Sequence, residues 1–330
     1  MFLLPEGGCV ECPFGGSGKN RYLCSMPTPP DKAMQKRAFW HDYRSRQIYM
    51  LTFRRCPEAP ELSRIQEWPT GLVTAEPSEA GKTVASHIAL IDHFHPSLQN
   101  WKYVIMPDHV HFLLFVKETL PEPVGVYLWA FVKAVNEQWG SPLLEAEYHD
   151  RIVFAEGTAA RLKAYIQDNP RRCLMKKRHP DRVATRYRVR IGEAEFEVVG
   201  NVFLLESPAI EAVRVSSKYT PEELTGRKRR WLEAIRGGGV LASPFISPKE
   251  RDVMGYAIEN GGRLILLADN GFAPLYKPPG VFFDLCFEGR AAILAPLEYR
   301  TRRQPLTRAR ALELNALAEA IAKGEARLLF

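Results

Sequence analysis

Two histidines, His109 and His111, stand one residue apart in the segment PDHVHFLLFV. On a β-strand, side chains two apart project from one face, so both imidazoles would present together. Paired imidazoles among large apolar neighbours are costly to bury without polar partners. A shared metal ion supplies such a partner and prefers neutral imidazole. The competing reading is two histidines packed and hydrogen-bonded on a half-buried strand. A bare H-x-H pattern does not choose between them. A second pair, His93 and His95, falls at a helix end or loop, where a solvated or capping role fits better. Cys9, Cys12 and Cys24 with His41 could make a zinc site only if His41 serves as the fourth ligand.

Charge gives the next chemical signal. The 330 residues carry a formal net charge of +7, yet residues 161–190 alone hold eleven Lys and Arg against Asp168 and Asp181. That segment is therefore +9 and the rest of the chain is −2. A polyanion, nucleic acid first among them, is the natural partner of such a segment, the alternative being a basic solvated helix. Arg171, Arg172, Lys176 and Lys177 are the candidate contacts to a nucleic-acid backbone, which position a strand without reading its sequence.

These residues need elements to hold them. QIYMLTFRR alternates and reads as a strand, and TVASHIALIDHF as a helix. WKYVIMPDHVHFLLFV splits into two strands around Met-Pro-Asp, a hairpin carrying His109 and His111 on its second arm. VGVYLWAFVKAVNEQWG is an amphipathic helix ended by Gly140, and its Trp129, Phe131 and Trp139 suit core positions better than base-stacking ones. TAARLKAYIQDNP is a helix with Thr158 as N-cap and Pro170 as its stop. EFEVVGNVFLL adds a strand. Together they predict an α+β domain with a mainly antiparallel sheet.

The segment YVIMPDHVHFLLFV resembles the signature of single-tyrosine HUH transposases, above all the REP-associated tyrosine transposase family, where Ile-Met-Pro-Asn-His-Val-His is typical. AYIQDNPRR resembles that family's Tyr-Ile-x-x-Asn-Pro motif, and HDRIVF fits the run before it. The resemblance covers roughly residues 41–205, and Asp108 stands where Asn is commoner. It implies a ferredoxin- or RRM-like sheet with helices. It also implies Tyr165 as the nucleophile that cleaves single-stranded, hairpin-bearing DNA and retains a 5′-phosphotyrosine. The resemblance implies a Mg²⁺ or Mn²⁺ ion on His109 and His111, and the family commonly takes a third ligand from the tyrosine helix. Asn169 suits that role, being four residues beyond Tyr165 on one helix face and bearing an amide oxygen fit for a hard cation. Its place before Pro170 would put it at a helix end. A phenol with a pKa near 10 is a weak nucleophile, and the basic segment around it would favour phenolate. His149, Asp150 and Arg151 precede this helix, and Arg151 either contacts phosphate or pairs with Asp150. Related enzymes act as dimers, so a homodimer is implied. The rival is a domesticated single-strand or hairpin DNA-binding protein without turnover.

Beyond SSKYTPEELTGRKRR the pattern changes. Thr220-Pro-Glu-Glu and Ser247-Pro-Lys-Glu are capping boxes that start two helices. GVLAS, RLILLA and AAILAP are short strands, and TRARALELNALAEAIAK is a long helix. This predicts a small Rossmann-like α/β domain over 219–330, after an irregular extension over 1–40 and the first domain over 41–215. The region resembles the Rossmann-like domain of a DNA-processing protein that binds single strands. An anion could sit at the helix N-terminus near Ser243 to Ser247, but no G-x-G-x-x-G or Walker A string is present, and a purely structural or dimerising domain is the alternative. No run of eighteen apolar residues occurs and MFLLPEGG lacks a basic n-region. With six scattered cysteines, these features read as a reducing, cytoplasmic setting without membrane contact.

Overall fold

The structure is a computed structural model that describes residues 38, 40–154, 156–216, 218–274, 276–300 and 305–329. The extension over 1–40, with Cys9, Cys12 and Cys24, therefore lies almost wholly outside the described residues. The chain divides into two compact units between Leu174 and Met175.

The first unit is built on β1 (Gln47–Arg55), a β2–β3 hairpin (Ser63–Glu67, Val73–Pro77), α1 (Glu79–Phe94), β4 (Leu98–Ile105), β5 (His109–Val116), α2 (Val124–Trp139), β6 (Leu144–Val153) and α3 (Glu156–Arg178). The main sheet runs β4-β5-β1-β6, and every neighbouring pair is antiparallel. Two βαβ halves with one strand inserted between the arms give this order, which is the ferredoxin-like arrangement.

The period of two along the strands divides the sheet's side chains between two cores. Tyr49, Leu51 and Phe53 of β1 and Val110, Phe112, Leu114 and Val116 of β5 are buried with Val84, Ile88 and Ile91 of α1 and Leu128, Phe131 and Val135 of α2. Burying each of these side chains contributes about 1.5–3 kcal/mol. The residues between them face the other way. Met50, Leu113 and Val153 pack there against Ala159, Leu162 and Ile166 of α3. The expected helix stop at Gly140 is met, with that residue in the left-handed region at φ 85°. Phe131 is core, as expected, and Trp139 packs against the same cluster.

Two expectations about α3 fail. Pro170 does not stop it; the helix runs on through Arg178 although a proline cannot donate the backbone bond to the preceding turn. Thr158 lies inside the first turn, where its hydroxyl accepts from Arg161, instead of capping the helix.

The second unit has a seven-stranded sheet ordered β13-β7-β8-β12-β11-β10-β9. Its strands are β7 (Thr185–Ile191), β8 (Ala194–Gly200), β9 (Ile210–Ala212), β10 (Val240–Ser243), β11 (Arg263–Leu267), β12 (Ala291–Pro296) and β13 (Leu328–Leu329). β9 to β12 pair in parallel, and β8, β7 and β13 continue antiparallel. α4 (Pro221–Arg236), α5 (Pro248–Glu259) and α6 (Val281–Phe287) cover one face, and α7 (Arg308–Lys323) covers the other. Both capping boxes form at the expected residues. The division of the chain differs from the expected break near 216–219. β7, β8 and β9 extend the second sheet, because β8 pairs with β12 and β9 with β10. Among the described residues, no helix is long and apolar enough to cross a membrane.

Candidate active site

His109 and His111 lie on β5, one residue out of phase with the buried Val110 and Phe112, and so share the sheet face that α3 covers. Their rings stand 4.5 Å apart between centroids, edge to face. Register extends this row across the sheet, because His111 pairs with Val104 on one side and Thr52 on the other, and Thr52 pairs with His149.

Each ring is held through Nδ1. His109 Nδ1 lies 2.7 Å from Asp108 Oδ1, and His111 Nδ1 lies 2.9 Å from Thr52 Oγ1. Such outer partners fix the tautomer and orientation of a ligating histidine. With Nδ1 engaged, Nε2 is the nitrogen through which each ring would bind a cation. Asp108, the one departure from the typical motif, thus supplies a carboxylate where an amide is commoner.

α3 brings Tyr165 to this row. Its ring centroid is 5.6 Å from that of His111, and the side chain keeps 37% of its exposure. Leu162 and Ile166, on either side in the helix, are buried in the core between α3 and the sheet, and this fixes the tyrosine beside the histidines. Asn169 follows one turn on. It is buried in the helix interior rather than at a frayed end, because the helix continues past Pro170. Its Nδ2 donates to the Tyr165 carbonyl at 2.9 Å, which leaves the amide oxygen as the atom a hard cation would take. Among the described residues no group of three or more His, Cys, Asp or Glu side chains could hold a metal. Two imidazoles and one amide are a different donor set, and they fit a divalent cation that tolerates mixed nitrogen and oxygen ligands.

The cationic residues separate into distinct roles. Arg172 is buried, with its guanidinium 5.6 Å from the Tyr165 ring centroid. Arg171 forms a two-pronged ion pair with Asp168 at 2.5 and 2.9 Å, within its own helix. Arg151 is exposed and sits in register with Met50, on the α3 side of the sheet. Adjacent strand residues face opposite ways, and Asp150 accepts instead from the Tyr43 hydroxyl at 2.9 Å. Arg151 therefore does not pair with Asp150. Lys176 and Lys177 lie in the last turn of α3, beyond the point where the units divide. Lys163, not singled out from the sequence, lies 4.2 Å over the Trp101 ring of β4. Thr52 was equally unmarked, since only the β1–β5 register makes it a partner of His111.

The other sequence candidates lie elsewhere. His41 Nε2 is 2.8 Å from the Tyr49 hydroxyl. His95 is the C-cap of α1, with its ring edge-on to Tyr127. Near Ser243 to Ser247 the helix terminus is occupied from within. The buried Glu250 carboxylate accepts from the Ser247 and Val215 backbone N–H groups, each at 2.9 Å. An incoming anion would meet that carboxylate, so the expected anion site is closed.

No protein-family model and no curated protein matches the chain. Among solved structures, the chain is similar to a REP-associated tyrosine transposase bound to a REP hairpin, at 12% identity, over 42% of this chain and 74% of that one, with a TM-score of 0.32. It is also similar to a candidate transposase from Deinococcus radiodurans R1, at 18% identity, over 41% of this chain and 97% of that one, with a TM-score of 0.25. Scores of that size leave the chemistry to be read from the side chains themselves.

Proposed function

We propose that the first unit is a metal-dependent single-strand DNA endonuclease and strand-transferase of the REP-associated tyrosine transposase type, acting on hairpin-bearing DNA. The observation that carries this reading is the placement of the Tyr165 ring 5.6 Å from that of His111, on a helix buried against the histidine face. A hairpin-binding protein without turnover needs no such juxtaposition.

In this reading the Tyr165 oxygen attacks the scissile phosphorus. The Tyr165 hydroxyl gives up its proton, a P–O bond to tyrosine forms, the bond to the 3′-oxygen breaks, and that oxygen takes up a proton and departs as a hydroxyl. Attack by a 3′-hydroxyl on the phosphotyrosine reverses the sequence and joins strands, releasing the tyrosine hydroxyl. His109, His111 and Asn169 would hold Mg²⁺ or Mn²⁺, which when bound polarises the scissile phosphate. Asp108 and Thr52 orient the two imidazoles. Arg172 would set a fixed positive charge beside the tyrosine, and Arg151 and Lys163 would take backbone phosphates.

The test is incubation with pooled hairpin-bearing single-stranded oligonucleotides and Mg²⁺ or Mn²⁺, resolved on a denaturing gel. Wild type should give a covalent protein–DNA band that disappears with chelator, with Tyr165→Phe and with His109→Ala/His111→Ala. Tight DNA binding without an adduct under either metal would instead establish the binding protein without turnover.

A further inference from the structure

We infer that the second unit carries its own groove for single-stranded nucleic acid, built on the bulged strand β7. β7 slips register against β8 between Arg186 and Val189. Inside the slip Arg188 sits at φ 52°, in the left-handed region that long side chains disfavour. Bulges redirect side chains, and here Tyr187 is left 68% exposed. Phe203, on the 3₁₀ turn Val202–Glu206 that follows β8, is 57% exposed. Both rings line one groove of about 550 Å³, together with Arg186, Arg188, Arg190 and Glu195.

The lining selects the occupant. Three guanidinium groups face one carboxylate. Arg186 donates to the Gly200 carbonyl at 2.7 Å, whereas the exposed Arg188 and Arg190 guanidinium groups make no hydrogen bond or ion pair among the described residues. Exposed aromatic rings accept unstacked bases, and guanidinium groups beside them take the phosphates of the same strand. A duplex keeps its base faces stacked inside and offers nothing to the rings. A protein partner would have to bring its own carboxylates to answer these guanidinium groups, because Glu195 is the one acidic side chain of a lining otherwise completed by Val189, Val202, Leu328 and Leu329. The inference stands on this unit alone and does not rest on the reading of the histidine–tyrosine site.

The experiment uses the full chain carrying Tyr165→Phe, in chelator, so that no cleavage occurs. Fluorescence anisotropy follows labelled oligothymidine, oligouridine and an abasic strand of equal length. Either base-bearing polymer should bind more tightly than the abasic one, and Tyr187→Ala/Phe203→Ala should lose roughly tenfold or more of that affinity, as removal of stacking partners does. Arg188→Gly should bind more weakly and with a shallower salt dependence. Its unfolding temperature should not fall, because glycine accepts the left-handed conformation; a loss of binding there cannot be misfolding. Unchanged affinity in both variants overturns the groove. Equal binding of abasic and base-bearing strands overturns the stacking, and no binding of either polymer overturns the nucleic-acid assignment in favour of a protein surface. The covalent band tests the other site separately, so either reading can fail without the other.

Discussion

Thr52 Oγ1 lies 2.9 Å from His111 Nδ1, across a pair of register partners on β1 and β5. With Nε2 as the metal-binding nitrogen, Nδ1 carries the proton and donates a hydrogen bond to the threonine oxygen. Thr52→Val keeps the shape and removes that acceptor. The expected outcome is a loss of roughly 10- to 100-fold in metal affinity. Thr52→Ser should restore most of the loss. Calorimetric titration with Mn²⁺, set beside the metal dependence of adduct formation, measures both. A valine variant with unaltered metal binding would show that the hydroxyl only packs.

Arg172 offers a test of electrostatics at the tyrosine. Its guanidinium is buried 5.6 Å from the Tyr165 ring, where a flexible ammonium is a poor substitute for a planar cation. Arg172→Lys should slow adduct formation by up to roughly 100-fold at saturating DNA, less than the about 100- to 1,000-fold that one preorganised donor is worth, because lysine keeps the charge. DNA affinity should change much less. Equal losses in rate and affinity would make Arg172 an ordinary phosphate contact.

The contrast between these residues marks how far sequence alone reaches. His109 and His111 were legible because a period of two is local, and the hairpin around Met106-Pro107-Asp108 places them on one strand face wherever that strand ends up. β1, the β4–β5 hairpin, α2 and both capping boxes were legible for the same reason. Thr52 and Lys163 acquire meaning only through pairing or packing between segments far apart in the chain. No local pattern encodes that β1 lies beside β5, or that α3 crosses Trp101. Pro170 misled because a proline's missing N–H is a local penalty. The packing of Leu162 and Ile166 against the sheet outweighs it, and the helix continues. The unit boundary was misplaced for a topological reason: β8 follows the first unit in sequence but hydrogen-bonds to β12, some ninety residues later, and β7 joins the same sheet through β8.

Gly200 ends β8 at φ 97°, where a Cβ would stand 2.2 Å from the Ala291 carbonyl oxygen and 2.9 Å from Cys286 Sγ. Backbone conformation and space both exclude a side chain. Gly200→Ala should destabilise the second unit by roughly 3 kcal/mol or more, adding left-handed strain to overpacking. Cys286 reports the damage independently, because burial pushes its thiol up to about 12 and makes it inert in the native protein. Urea unfolding should shift to lower denaturant, and alkylation of Cys286 should accelerate. A variant with native stability and a protected thiol would mean that the β8–β12 pairing yields easily.

His87 and His95 predict an acid limb to the stability of the first unit. Burial is the main cause that lowers the pKa of each, opposed in His87 by the bond between Nδ1 and the Thr83 carbonyl at 3.0 Å. In the unfolded chain both titrate near 6.5. Between the depressed folded values and that figure, the unfolded state binds more protons than the native one, so stability rises with pH. Their contribution is complete above the unfolded value and is lost as pH falls from there through the folded values. Melting temperature should therefore drop as pH falls from neutrality through about 6.5 and below, ahead of the main carboxylate titration. His87→Gln/His95→Gln should melt lower at neutral pH yet show a flatter curve across that interval. Parallel curves for variant and wild type would place the acid sensitivity on other groups.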